Sequence, residues 1–111
     1  MGLTILVTGG ARSGKSSFAE KRTKQLGSSL VYIATSEIID SEIEKRVAEH
    51  QARRGSEWQT LHAPLKLTEA LFETDGKGPC LVDCLTIWLN NLIFHNEDTV
   101  VATKELIKVL E

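Results

Sequence analysis

A chain of 111 residues holds one domain at most, and 41% hydrophobic with 25% charged residues is ordinary for a globular protein rather than a disordered one. The net charge of −2 gives no field for a polyanion, so no nucleic-acid partner is expected. No apolar run approaches the ~20 residues that cross a bilayer, and the N-terminus lacks a charged-then-apolar leader, so a cytoplasmic location without a membrane span is expected.

Leu3 to Thr8 is a continuous apolar run, as in a parallel strand covered on both faces, and is the first expected strand. Directly after it comes Gly9-Gly10-Ala11-Arg12-Ser13-Gly14-Lys15-Ser16, which reads G-x-x-x-x-G-K-S, the phosphate-binding P-loop. Glycines let successive backbone N–H groups turn inward around a phosphate at the positive end of the following helix. Lys15 adds a charge at the β/γ-phosphates, and the Ser16 hydroxyl is placed for Mg2+. A helix from Ser17 to Leu26 follows, with Phe18, Arg22 and Leu26 on one face, and then a second strand, Ser29 to Ala34. Thr35 and Ser36 leave that strand at the end where P-loop sites form; they are nucleotide-edge candidates or simply a polar turn.

Ser41 and Glu44 form a capping pair that opens a helix ending at Arg54. Its stripe runs Ile43, Val47, His50, Arg54, changing from apolar to basic halfway along. Arg46, Arg53 and Arg54 can surround the His50 imidazole from neighbouring turns. Positive charge there disfavours imidazolium and keeps the ring neutral, as a histidine nucleophile requires, and Arg53 and Arg54 can also bind a triphosphate. The competing view is a solvated basic helix balanced by Glu42, Glu44 and Glu49.

Glu57 to Pro64 is a short extended piece, followed by a small helix from Leu65 to Phe72 and a loop from Thr74 to Pro79. The third strand, Cys80 to Asp83, ends in a carboxylate that either holds Mg2+ opposite Ser16 or caps the next helix. Cys80 and Cys84 are roughly 13 Å apart if extended, about twice a disulfide's reach, so both are expected reduced. Leu85 to Phe94 reads as a largely buried helix with Asn90 and Asn91 as polar exceptions. Asn96 to Asp98 forms a turn, and Thr99 to Glu111 a last amphipathic helix. That helix ends without a stop signal, so the chain reads as cut there. The expected fold is α/β, a RecA-like P-loop NTPase three-layer sandwich with a mostly parallel sheet, truncated after the third core strand.

Taken together, Leu6 to Ser16, Tyr32-Ile33-Ala34-Thr35-Ser36, Arg46-Val47 with His50, Arg54 and Trp58-x-Thr60, and Val82-Asp83-Cys84-Leu85-Thr86 with Trp88-Leu89 and Asn91-Leu92 resemble the bacterial CobU/CobP family. These are bifunctional adenosylcobinamide kinases and adenosylcobinamide-phosphate guanylyltransferases of cobalamin synthesis. The resemblance implies that His50 attacks the α-phosphate of GTP to form a guanylyl-histidine, from which GMP passes to adenosylcobinamide phosphate. It also implies phosphorylation of the corrinoid by ATP or GTP, nucleotide contacts from Thr35, Ser36 and Arg54, a Mg2+-side carboxylate at Asp83, and a trimer. Where many relatives carry Glu after the W-x-T segment, this chain has His62, and family members continue well past residue 111. The alternatives are another P-loop kinase or NTPase with a structural His50, or a non-catalytic nucleotide-binding module.

Overall fold

The computed structural model describes residues 3–9, 14–37 and 41–111, with His50 represented by its backbone. Helix α1 (Lys15–Lys24) leads to strand β1 (Leu30–Ala34), then α2 (Ser41–Arg54), β2 (Trp58–His62), α3 (Leu67–Thr74), β3 (Cys80–Asp83), α4 (Leu85–Phe94) and α5 (Thr99–Leu110). The three strands form one parallel sheet in the order β2-β1-β3. Parallel pairing needs crossovers, and the helices between strands supply them.

Because side chains alternate along a strand, β1 divides its residues between two layers. Val31 and Ile33 point into the larger core, where Leu67 and Leu71 of α3, Trp88 and Leu92 of α4 and Leu106 of α5 close over them. Leu30 and Tyr32 face the other way and cluster with Trp58. On that face the C-terminal end of α2 brings Arg54 over the Tyr32 ring, and Glu20 of α1 lies close enough to act on the tyrosine hydroxyl. The expected three-layer α/β arrangement with a parallel sheet is therefore present.

Its strand membership differs from expectation. Residues 3–8 form no strand: Leu3 and Leu6 are 78% and 74% exposed, and the segment pairs with nothing in the sheet. The expected strand Cys80–Asp83 is present, and the place expected for residues 3–8 is taken by Trp58–His62, read from sequence only as a short extended piece. Its advantage is local, since every one of its five residues finds a partner on β1, from Leu30↔Trp58 to Ala34↔His62. β3 consequently keeps one open edge.

Several boundaries have visible causes. α3 starts two residues later than expected because Lys66 has non-helical backbone angles and the Leu65 carbonyl accepts from Trp88 Nε1 at 2.9 Å. α5 starts where Asp98 accepts from the backbone N–H groups of Val100 and Val101 at 3.0 and 3.1 Å, satisfying two otherwise orphaned donors. Asn91, one of the two polar exceptions on α4, donates to the carbonyls of Thr35 at 2.7 Å and Pro64 at 3.0 Å, so one amide ties together the chain leaving β1 and β2. Among the described residues no helix is long and apolar enough to cross a membrane.

Candidate nucleotide-binding site

The start of α1 has the geometry its sequence requires. Gly14 takes φ +80°, a left-handed conformation that suits glycine, and its carbonyl accepts from Phe18 N–H at 3.0 Å to begin the helix. Lys15 Nζ reaches back to donate to the Gly9 carbonyl at 3.3 Å, closing the two ends of the loop on each other. Gly10, Ala11, Arg12 and Ser13 lie outside the described residues.

Gly9, Lys15 and Ser16 border a cleft of about 740 Å³ that continues along the open edge of β3 to Asp83 and Thr86. The site candidates Gly9, Lys15, Ser16 and Asp83 are thus brought to one concavity, with Arg22 as a further cation on its wall. Asp83 does not cap α4. The N-cap residue there is Cys84, and no side chain caps the helix. Asp83 Oδ2 instead accepts a 2.5 Å hydrogen bond from the Tyr32 hydroxyl. Burial first, and then the Asp83 hydrogen bond and charge, hold the Tyr32 phenol well above its usual range, so Tyr32 acts as a donor.

A divalent cation suits this donor set. Mg2+ prefers oxygen ligands and is commonly held by one or two carboxylates together with substrate phosphates. Asp83 and Ser16 on one cleft match that pattern, and the described residues contain no group of three or more His, Cys, Asp or Glu that would form an all-protein cage.

The other candidates are not among the described residues that line this cleft. Thr35 is fully buried, and its hydroxyl donates to the Cys84 carbonyl at 2.8 Å and accepts from the Cys84 N–H at 2.9 Å, joining the ends of β1 and β3. Ser36 borders a second cleft of about 590 Å³ with Glu37, Arg46, Val47, Asn91 and Phe94. Of the three guanidiniums expected around His50, Arg46 pairs with Glu42 at 2.8 Å. Arg54 is buried, stacked 3.6 Å from the Tyr32 ring centroid and donating to Thr60 Oγ1 at 3.3 Å. Arg53 is exposed at the end of α2, and the side chain of His50 lies outside the described residues. His62 is exposed at the end of β2, while His95 pairs with Glu37 at 2.9 Å. Cys80 and Cys84 are free thiols, and burial pushes Cys80 up to about 11.

Sequence reasoning passed over Tyr32 as a site residue. Its signal was present: two places before Ala34, the register partner of Asp83, it shares a sheet face with the carboxylate.

A left-handed Gly14 at a helix start, a lysine folded back to Gly9, and a strand-end carboxylate on the same cleft, beside a parallel sheet with helices on both faces, define a P-loop-type α/β domain. Residues 5–111 match the family model described as cobinamide kinase / cobinamide phosphate guanyltransferase, and the chain belongs to this CobU family. It is 49% identical over 93 residues to the bifunctional adenosylcobalamin biosynthesis protein CobP of Pseudomonas aeruginosa, covering 83% of this chain and 54% of that protein. It is 39% identical over 93 residues to the corresponding CobU of Escherichia coli and 38% identical over 96 residues to that of Salmonella typhimurium, covering 83% of this chain and 51% of each relative. The chain therefore spans about half the length of these curated relatives.

Proposed function

We propose that this chain carries the nucleotide-binding part of a cobalamin-biosynthesis enzyme that phosphorylates adenosylcobinamide from ATP or GTP and transfers GMP from GTP to adenosylcobinamide phosphate. The observation that supports it best is the convergence of Gly9, Lys15, Ser16 and Asp83 on one cleft in a chain of this family. Both reactions are displacements at phosphorus, where a protein contributes mainly position and charge.

In the kinase step the corrinoid hydroxyl oxygen attacks the γ-phosphorus, its proton is released, and the bond to the nucleoside diphosphate breaks. In the transferase step a neutral His50 ring nitrogen attacks the α-phosphorus of GTP. A P–N bond forms as the bond to pyrophosphate breaks. A phosphate oxygen of adenosylcobinamide phosphate then displaces His50 and takes the GMP. Lys15 neutralises the β/γ-phosphates, and Gly9 to Gly14 supply backbone N–H donors. Arg53, Arg54, Thr35 and Ser36 are proposed to assist at the nucleotide. Ser16 and Asp83 would hold Mg2+, which when bound supplies charge neutralisation at the phosphates. Assembly is proposed as a homo-oligomer, a trimer by family resemblance; exposed Ile93, Phe94, Val100 and Ile107 on α4 and α5 offer apolar surface for it.

Incubation with α-³²P-GTP and Mg2+ tests the transferase half. Label retained on denatured protein, released by acid, stable to alkali and absent from His50→Ala is the expected result. Protein that binds GTP but retains no label refutes the covalent intermediate. Intact phosphoryl transfer in His50→Ala with no adduct in either protein would favour a P-loop kinase or NTPase.

A further inference from the structure

β1 is an apolar strand in which a phenylalanine would pack as well as Tyr32 does, so the hydroxyl requires its own explanation. Tyr32 is 7% exposed, with the Arg54 guanidinium 3.6 Å from its ring centroid and the Trp58 ring set edge-on at 5.9 Å and 77°. A side chain with two torsions, held by neighbours from α2 and β2, has little freedom left. The parallel register pairs Tyr32 with Leu81 and Ala34 with Asp83, so the ring extends along the sheet face toward the carboxylate two residues on. Its hydroxyl donates to Asp83 Oδ2 at 2.5 Å, whereas Asp83 Oδ1 accepts no hydrogen bond among the described residues. An aspartate turns readily about its terminal torsion, and tethering one oxygen removes that freedom.

We propose that Tyr32 is a positioning residue of the cleft: its hydroxyl holds one oxygen of Asp83 and leaves the other for the divalent cation accompanying a bound nucleoside triphosphate. This rests on the reading of Asp83 as the cation-side carboxylate. Arg54 acts one step further back by fixing the ring, which gives a role to a buried guanidinium that has no carboxylate partner among the described residues. Residues that orient metal ligands typically matter 10- to 100-fold in metal affinity or activity, about the scale expected of losing this hydroxyl.

The test is a double-mutant cycle on Mn2+ affinity, read by electron paramagnetic resonance of free Mn2+ with the chain saturated by a β,γ-imido GTP analogue. Tyr32→Phe is expected to weaken Mn2+ binding at least about 10-fold, with analogue affinity in EDTA unchanged. In an Asp83→Asn background the same substitution is expected to add nothing. An equal loss in both backgrounds, or no loss in Tyr32→Phe while Asp83→Asn weakens binding, overturns the positioning role and leaves Asp83 as the cation-side carboxylate. No loss in Asp83→Asn overturns the carboxylate reading, and the proposal with it.

A second measurement avoids any folding defect in Tyr32→Phe. Tyr32 is the single tyrosine of the chain, so 3-fluorotyrosine incorporation labels it alone. Its ¹⁹F resonance is expected to shift when Mg2+ is added to the analogue-bound wild type and to stay fixed in Asp83→Asn. A resonance that ignores Mg2+ in the wild type, or moves equally in both proteins, overturns the proposal.

Discussion

Replacing Thr35 with Val keeps the shape of a fully buried side chain and removes its hydroxyl. The structure assigns that hydroxyl two bonds, donated to the Cys84 carbonyl at 2.8 Å and accepted from the Cys84 N–H at 2.9 Å. The substitution leaves both backbone groups without that partner. A buried polar group so orphaned costs about 1–3 kcal/mol, but Cys84 is half-buried and water can recover part of the loss, so about 2 kcal/mol is expected. In a domain this size that lowers the melting temperature by about 9 °C. Thr35→Ser keeps the hydroxyl and loses one methyl, about 0.8 kcal/mol, so it should melt between Val and wild type. Differential scanning calorimetry of the three proteins decides the matter. A Val variant that melts with or above the Ser variant would refute the claim that the hydroxyl staples β1 to β3. A Val variant of unchanged melting temperature but weakened GTP binding would leave Thr35 only its proposed role at the nucleotide.

Other substitutions probe neighbouring parts of the same frame. Gly78 sits at φ +129°, and a Cβ there would meet the Ser29 carbonyl oxygen at 2.0 Å, so Gly78→Ala should unfold well below wild type in urea while Gly76→Ala, with open space around its Cβ, costs less. Asn91→Leu removes the donor from the Thr35 and Pro64 carbonyls and should lower stability by about 2–3 kcal/mol, measurable by chemical denaturation. The alkaline limb of stability follows from two acids whose folded pKa values are raised, Cys80 to about 11 and Tyr32 above its usual range, in each case chiefly by burial. Both stay protonated in the folded chain where the unfolded chain would ionise. Their contribution is therefore complete below about pH 9 and declines as pH rises through the folded values. Tyrosinate absorbance at 295 nm should appear only with unfolding, and its appearance near pH 10 in folded protein would contradict the burial argument.

The sequence made legible what depends on local chemistry. The Gly14-Lys15 helix start, the apolar β1 and β3, the 14-residue α2 ending at Arg54 and the start of the last helix at Thr99 all follow from residues close together in the chain. It was less informative where a partner decides the outcome. Trp58–His62 alternates poorly as a strand, and only the five-residue register with β1 makes it one. Thr35 and Arg54 look like site residues by type and place, and in the structure the first bonds to Cys84 while the second stacks on Tyr32 and donates to Thr60. No spacing rule could show that a polar side chain leaving a strand end would be used inward. Asn91 is the converse: apparently misplaced on an apolar helix, it satisfies carbonyls of two strand-end connections.

The hardest case is the segment from Leu3 to Thr8, whose composition is as strand-like as that of β1. Composition alone would bury it, yet Leu6 is 74% exposed, and the open edge of β3 faces the cleft that the segment borders. The two situations differ sharply in what one charge would do. For an exposed leucine outside the sheet, Leu6→Asp should change stability within about 0.5 kcal/mol. For a leucine covered on both faces of a parallel strand, the lost burial and the unpaired carboxylate together would cost several kcal/mol. Urea denaturation of Leu6→Asp without nucleotide, beside Ile33→Asp as a core control, separates them. The structure requires the first to unfold near wild type and the second to lose cooperative unfolding; matching losses would put residues 3–8 against β3 and overturn the three-stranded sheet.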